Sequence, residues 1–218
     1  MNANDPPVLQ VRNLAFQYDQ PLLDIDTFLV ARGECVGLIG PSGCGKTTFI
    51  HLIAGLLKPT RGSIQVNGID LSQLTETQTD RLRGQSIGIV FQRLYLIPSL
   101  SVIDNLTLAQ SLSRVSVDKP YAIQLLEQLG VGELLNSKPY QLSQGQAQRV
   151  AIARSLAHRP SLVMADEPTS ALDDKNAQEA MAILRTMTQT AGAALAIVTH
   201  DQRVRDQVDR VFNLGSDQ

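Results

Sequence analysis

The chain has 218 residues, of which 43% are hydrophobic and 18% charged, with a formal net charge of −2 and an isoelectric point near 5.9. That length holds one large α/β domain with room for a subdomain, and the near-neutral charge argues against a polyanion-binding surface, so nucleic acid is not an expected partner. Cys35 and Cys44 fit neither a disulfide framework nor a metal cluster, which points to a reducing cytoplasm. No apolar run is long enough to span a bilayer and the first residues carry no leader pattern, so any membrane role is expected through a partner.

Residues 8–18 alternate apolar and polar and read as a half-exposed antiparallel strand; residues 22–30 read as a second, ending at a turn near Arg32-Gly33. Cys35-Val36-Gly37-Leu38-Ile39 is short and wholly apolar, the pattern of a buried strand. Directly after it, Gly40-Pro41-Ser42-Gly43-Cys44-Gly45-Lys46-Thr47 fits G-x-x-x-x-G-K-[ST], the phosphate-binding P-loop or Walker A motif. Its glycines let the backbone N–H groups turn inward on an anion. Lys46 adds a point charge for the β- and γ-phosphates, and the Thr47 hydroxyl is suited to Mg²⁺. Thr48 continues into a helix through Ile53 whose positive end faces the phosphates.

Residues 55–62 break that helix. Residues 63–68 alternate again and close on Asn67-Gly68, a hairpin signal. Residues 71–83 read as a polar helix and residues 87–91 as a buried strand. Three helices follow, over residues 101–114, 119–129 and 144–158, with no strong strand between them. Residues 93–158 are therefore expected to form a helical subdomain inserted into a nucleotide-binding core made of residues 1–92 and 159–218. The core resumes with a buried strand over residues 161–166, a helix over 174–190 and a buried strand over 193–200. A short helix over 201–208 and an edge strand over 211–214 complete it. Apolar runs alternating with helices predict a parallel sheet covered on both faces, with ligands at the carboxyl ends of the strands. The P-loop, Gln92, Asp166-Glu167 and His200 all fall at such ends.

Each of these groups has a chemical reading. Asp166 is suited to hold Mg²⁺ as the Walker B acid, and Glu167 to act as general base on the attacking water. His200 can bond the γ-phosphate and orient that base; Gln92 can reach Mg²⁺ or the water. Leu142-Ser143-Gln144-Gly145-Gln146 opens the helix over 144–158, with Ser143 as N-cap and Gly145 allowing close backbone approach. That start is a second anion site, superfluous if the P-loop holds the whole nucleotide and useful if it covers the nucleotide of another copy.

Together these motifs, in this order, resemble the ATPase subunits of ABC transporters over about residues 9–214. The resemblance identifies Leu142 to Gln146 as the ABC signature, Gln92 as the Q-loop residue, Ser170-Ala171-Leu172-Asp173 as the D-loop and His200 as the switch histidine. It implies a P-loop NTPase (RecA-like) parallel-sheet core with an antiparallel β subdomain and a helical subdomain. It also implies that Tyr18 stacks on adenine and that Asp173 joins the nucleotide-binding set. The family's cofactor set is ATP with Mg²⁺. It works as a head-to-tail homodimer in which each ATP lies between one P-loop and the other subunit's Ser143, Gly145 and Gln146. An integral-membrane permease converts the closure to work, which places the subunit on the inner face of the membrane. One departure is visible: Gln144 stands where many members have glycine.

Three further stretches, residues 68–74, 81–92 and 96–106, resemble the lipoprotein-release and macrolide-exporter branch, which includes a cell-division ATPase. The apolar run Leu94-Tyr95-Leu96-Ile97 is a candidate dock for a permease helix, or simply packs the subdomain on the core. Two other classes compete: a soluble, non-transport ABC ATPase, and a nucleotide-gated regulator of cell-wall remodelling. The chain has no heptad insertion and one domain rather than two, which disfavours the DNA-repair and translation-factor types.

Overall fold

The structure, a computed structural model, describes residues 6–170 and 174–215. The alternating segments come first. β1 (Leu9–Gln17) buries Leu9, Val11, Leu14 and Phe16, and β2 (Pro21–Val30) pairs with it antiparallel. The buried set shifts from odd to even positions because Asn13 takes φ 48 and drops out of the ladder, so a bulge keeps all four apolar side chains on one face. β3 (Cys35–Ile39) is buried at every position, as a strand covered on both faces must be.

α1 (Lys46–Ile53) follows the P-loop. β4 (Arg61–Val66) and β5 (Ile69–Asp70) are joined through Asn67 and Gly68 at φ 51 and 77, the doubly left-handed turn that Asn-Gly signals. The expected helix over 71–83 differs. Leu71–Gln73 is a 3₁₀ turn, Thr75 starts a new helix through a reciprocal capping box with Gln78, and α2 (Glu76–Ser86) runs three residues further. Asp70 caps only that 3₁₀ turn, accepting from Ser72 N–H at 2.9 Å, and Leu71 and Leu74 pack on the core.

β6 (Ile87–Val90) leads to α3 (Val102–Leu112), α4 (Lys119–Gln128) and α5 (Gln144–Leu156). Ser101, Asp118 and Ser143 cap the three helices with their side chains. β7 (Leu162–Asp166), α6 (Asp174–Thr190), β8 (Ala194–Thr199) and β9 (Arg210–Asn213) complete the chain. The expected helix over 201–208 is the 3₁₀ segment Gln202–Gln207, because the Asp201 side chain accepts from Arg203 N–H and tightens its first turn.

Two sheets result, β2-β1-β4-β5 antiparallel and β6-β7-β8-β3-β9 parallel. Successive residues of the parallel strands feed opposite faces. Val36, Leu38, Leu162, Met164, Ala196 and Val198 pack with α1 and the antiparallel sheet. Cys35, Val163, Ala165, Leu195 and Ile197 pack with α3 to α6. Phe28 clamps the two sheets together, meeting Phe49 at 5.6 Å and Phe212 at 5.0 Å, both edge-on. Each such pair adds roughly 0.5–1.5 kcal/mol beyond its buried area. The parallel arrangement puts the ends of β3, β6, β7 and β8 along one edge, as expected from the sequence.

His158 lies between α5 and β7. One ring nitrogen, Nε2, sits 3.2 Å from the Ile87 carbonyl, while the buried Nδ1 has no partner. The Nε2–H tautomer satisfies that carbonyl, and a second proton at Nδ1 would have no acceptor. Burial therefore lowers the His158 pKa, opposed by the Ile87 bond. Below an ordinary histidine pKa of about 6.5, the unfolded chain takes up a proton that the folded ring resists. We expect stability to be full above that pH and to fall as pH drops toward the lowered folded value. The His158 ring resonances should titrate below those of an exposed histidine; a midpoint above the ordinary value would contradict this account.

Candidate functional site

The P-loop is shaped by backbone that only glycine tolerates there. Gly45, the N-cap of α1, has φ 93, and a Cβ on it would lie 2.7 Å from Leu23 Cδ2. The start of β2 is thus packed on the loop, and Tyr18, three residues before it, is 61% exposed with its ring edge-on to Phe16 at 4.9 Å. Pro41, Ser42 and Gly43 form the exposed crest of the loop. Gly40, Cys44 and Thr48 are half-buried. Lys46 is buried and folds back, donating from Nζ to the carbonyls of Gly40 at 3.0 Å and Pro41 at 2.8 Å.

At the end of β7, Asp166 accepts a hydrogen bond from Thr47 Oγ1 at 3.0 Å through Oδ2, while its other oxygen, Oδ1, is buried without a partner. Burial raises the Asp166 pKa; the Thr47 bond opposes this and the Glu167 charge adds to it. A buried carboxylate with a bare oxygen beside a hydroxyl suits a hard divalent cation, which would supply the missing positive charge. Among the described residues no group of three or more His, Cys, Asp or Glu could hold a metal alone. A cation here would therefore draw its remaining ligands from water or phosphate.

Glu167 adopts φ 48, a left-handed conformation costly for a side-chain-bearing residue. The conformation is held from several sides. Its N–H donates to the Val198 carbonyl at 2.8 Å, and its carbonyl accepts from Ser170 N and Oγ at 3.3 and 3.1 Å. The carboxylate lies 10% exposed between three elements. Oε1 faces Lys46 Nζ at 3.6 Å and His200 Nδ1 at 2.8 Å; Oε2 accepts from Thr199 Oγ1 at 2.8 Å and His200 N–H at 3.4 Å. One carboxylate thus gathers the P-loop lysine and the histidine directly after β8. Of the described non-glycine residues with positive φ, Asn13, Asn67, Tyr95, Arg114, Arg159 and Glu167, it is Glu167 whose side chain meets Lys46 and His200.

Gln92 is exposed just beyond β6, and its Nε2 donates to Ser170 Oγ at 3.2 Å, so it is directed to the segment after Glu167 rather than to Thr47 or Asp166. Ser143 and Gln146 cap each other at the start of α5, with Gln146 N–H donating to Ser143 Oγ at 3.3 Å. Gly145 has open space around it and admits close approach. Asp173 lies outside the described residues.

Sequence reasoning missed Thr199, which shares Glu167 with His200, and Thr169, whose hydroxyl donates to Asp201 at 2.7 Å. Asp201 also binds Arg203, and these bonds hold its pKa down at about 2. The signal for Thr199 was a polar residue closing an otherwise apolar strand. Gln148 was missed too; it is buried and donates to the Pro168 carbonyl at 2.7 Å.

A family model described as ABC transporter matches residues 23–170. The chain belongs to the ABC transporter family, as its ATP-binding, ATP-hydrolysing domain. It is 41% identical over 218 residues to an ABC transporter ATP-binding protein of Mycobacterium tuberculosis, covering 97% of this chain and 88% of the relative. It is also 41% identical over 187 residues to the lipoprotein-releasing system ATP-binding protein LolD of Legionella pneumophila, covering 85% and 82%. A solved ATP-binding cassette, dimeric in a post-hydrolysis state with ADP and Pi, matches at TM-score 0.83 and 33% identity over 94% of both chains. CbiO1 of Clostridium perfringens, part of the CbiONQ transporter complex, matches at TM-score 0.87 and 30% identity over 96% of this chain and 85% of its own.

The geometry around Glu167 in this ABC ATPase can be probed by Thr199→Val, which keeps the shape and removes one donor to the carboxylate. A hydrogen bond to a charged group is worth about 1.5–3 kcal/mol. Turnover should fall by roughly ten-fold to a hundred-fold, with ATP affinity little changed. Steady-state hydrolysis and equilibrium binding of a nucleotide analogue check both halves.

Proposed function

We propose that the protein works as a head-to-tail homodimer sharing two ATP sites, and that dimer closure drives an integral-membrane permease of the lipoprotein-release and macrolide-export kind. The observation that carries the catalytic part is the meeting of Lys46, Thr199 and His200 on the Glu167 carboxylate. The branch rests on the likeness to the lipoprotein-releasing ATP-binding protein and on the three stretches that resemble that group. Among the described residues no helix is long and apolar enough to cross a membrane. Attachment to the inner face of the membrane would come through the permease, with the run Leu94 to Ile97, where Tyr95 and Ile97 are exposed, as its dock.

On this reading the β- and γ-phosphates take Lys46 from the Gly40 and Pro41 carbonyls, and the residue 40–48 backbone cradles them. Thr47 and Asp166 would hold Mg²⁺, and Gln92 would reach it only by leaving Ser170. The ion, when bound, neutralises charge on the phosphate oxygens. Glu167 accepts the proton of the attacking water, and Lys46 leaves it for phosphate. His200 and Thr199 fix the carboxylate's direction. Tyr18 offers its exposed ring to adenine. Ser143, Gly145 and Gln146 of the second protomer, with Asp173, complete the site from the other side. Residues 93–158 act as the helical subdomain that carries this second surface on a core of residues 1–92 and 159–218. Gln144 widens the polar surface beside Ser143 without displacing it from its capping role.

Two substitutions test separate parts. Glu167→Gln should keep ATP binding and slow turnover by roughly 10²–10⁴, the usual worth of a general base; unchanged turnover removes Glu167 from that role. Ser143→Arg should abolish ATP-dependent dimerisation, read by light scattering in the Glu167→Gln background, while monomer binding of ATP stays intact. A full yield of dimer in that variant contradicts the shared-site arrangement.

A further inference from the structure

The start of α5 and the Glu167 segment are joined inside one protomer. Gln148 lies five residues past the cap residue Ser143 and is only 9% exposed. Its amide donates to the carbonyl of Pro168 at 2.7 Å, the residue directly after Glu167. The next residue of α5, Arg149, pairs with Glu179 on α6, the helix that begins beyond the same segment. From the other side, Ser170 grips the Glu167 carbonyl and is itself held by Gln92. Gln92, Gln148, Glu167, Pro168 and Ser170 line one narrow pocket of about 50 Å³. The peptide after Glu167 is thus pinned between two side-chain amides, one on α5 and one at the end of β6.

The Pro168 carbonyl takes its hydrogen bond from the Gln148 amide. Glu167 keeps its strained φ of 48 only while its surroundings hold it, so the placing of the adjoining Pro168 carbonyl bears on the direction of the carboxylate. An α-helix is stiff over the one and a half turns between Ser143 and Gln148. A displacement at the exposed end of α5 is therefore delivered to the Pro168 carbonyl rather than absorbed on the way.

We propose that Gln148 is a positioning residue coupling the two ATP sites of the dimer. Contact of Ser143 with the partner's nucleotide moves the start of α5, and Gln148 passes that movement to Glu167, which serves the protomer's own nucleotide. Each site then becomes competent only when the other is filled. This rests on the shared-site dimer proposed above. It adds a link within each protomer and makes the Gln148 amide, not merely the bulk of the side chain, the element that matters.

The test uses the full-length protein and compares Gln148→Met, which keeps length and volume without a donor, with Gln148→Lys, which restores a donor. Hydrolysis rates are measured against ATP concentration, with binding of ATP to the Ser143→Arg monomer as the control for folding. Wild type should be sigmoidal, with a Hill coefficient approaching the two sites available. Gln148→Met should bring that coefficient toward one and lower the maximal rate about five-fold or more, the lower end of ordinary coupling strengths. Monomer affinity should stay within two-fold, and Gln148→Lys should regain sigmoidal behaviour. A Gln148→Met enzyme that is slower but as cooperative as wild type overturns the proposal, since that is what a purely structural role would give. So does a Gln148→Lys enzyme as hyperbolic as Gln148→Met. A wild-type enzyme that is itself hyperbolic, with no ATP-dependent dimer, strikes the shared-site reading and the coupling with it, and is told apart by the light-scattering result.

Discussion

The last two residues of β8 hold the site together. The Val198 carbonyl takes the N–H of Glu167 at 2.8 Å, and the Thr199 carbonyl takes the N–H of Gly40 at 3.2 Å. One strand therefore fixes where the P-loop begins and where the acidic segment turns, on its two sides. The register follows: Ile39 lies opposite Thr199, and Asp166 opposite Val198. Had β3 or β7 slipped by one residue, every inward side chain would have changed face and the polar ends would have parted. The apolar runs of β7 and β8 close on the polar residues Asp166 and Thr199, so a slip would carry those polar ends away from their partners or into the core.

Much of this was legible in the sequence because the signals were local. A five-residue apolar run followed by a glycine loop and a lysine specifies strand, turn and helix without reference to anything distant. The placing of Gln92, Asp166, Glu167 and His200 along one edge followed from strands all running the same way, a consequence of helices lying between them. What escaped depended on contacts far apart in the chain. The Thr199 hydroxyl matters only because Glu167, 32 residues earlier, turns toward it. Gln148 reads as one more polar residue on a helix until Pro168 is seen beneath it. The polar helix expected over residues 71–83 begins later, because the capping chemistry at Thr75 and Gln78 decides where the helix starts.

Charge is distributed in the site with little surplus. Lys46, Asp166, Glu167 and His200 lie within a short span, and Lys46, Asp166 and Glu167 are mostly buried. Glu167 is compensated by lysine and histidine, whereas Asp166 has a single hydroxyl donor and a bare oxygen. The two adjacent carboxylates therefore differ in character, one shielded by the Lys46 ammonium and several donors and the other short of positive charge. Adjacent acids in such unlike surroundings are suited to unlike tasks, proton transfer for one and cation binding for the other.

Two backbone carbonyls hold Lys46 in place before any ligand arrives. The ammonium is already ordered, with its long stem buried, so the rotamer freedom of a lysine, about 2 kcal/mol, is not lost again when a ligand arrives. An arriving ligand displaces two neutral carbonyls and draws the ammonium from the Glu167 carboxylate, 3.6 Å away. A neutral head group offers nothing better than Gly40 and Pro41 already provide, whereas an anion gains the full difference between a dipole and a charge. The loop therefore selects by charge before it selects by shape, and its own backbone sets the threshold a ligand has to exceed.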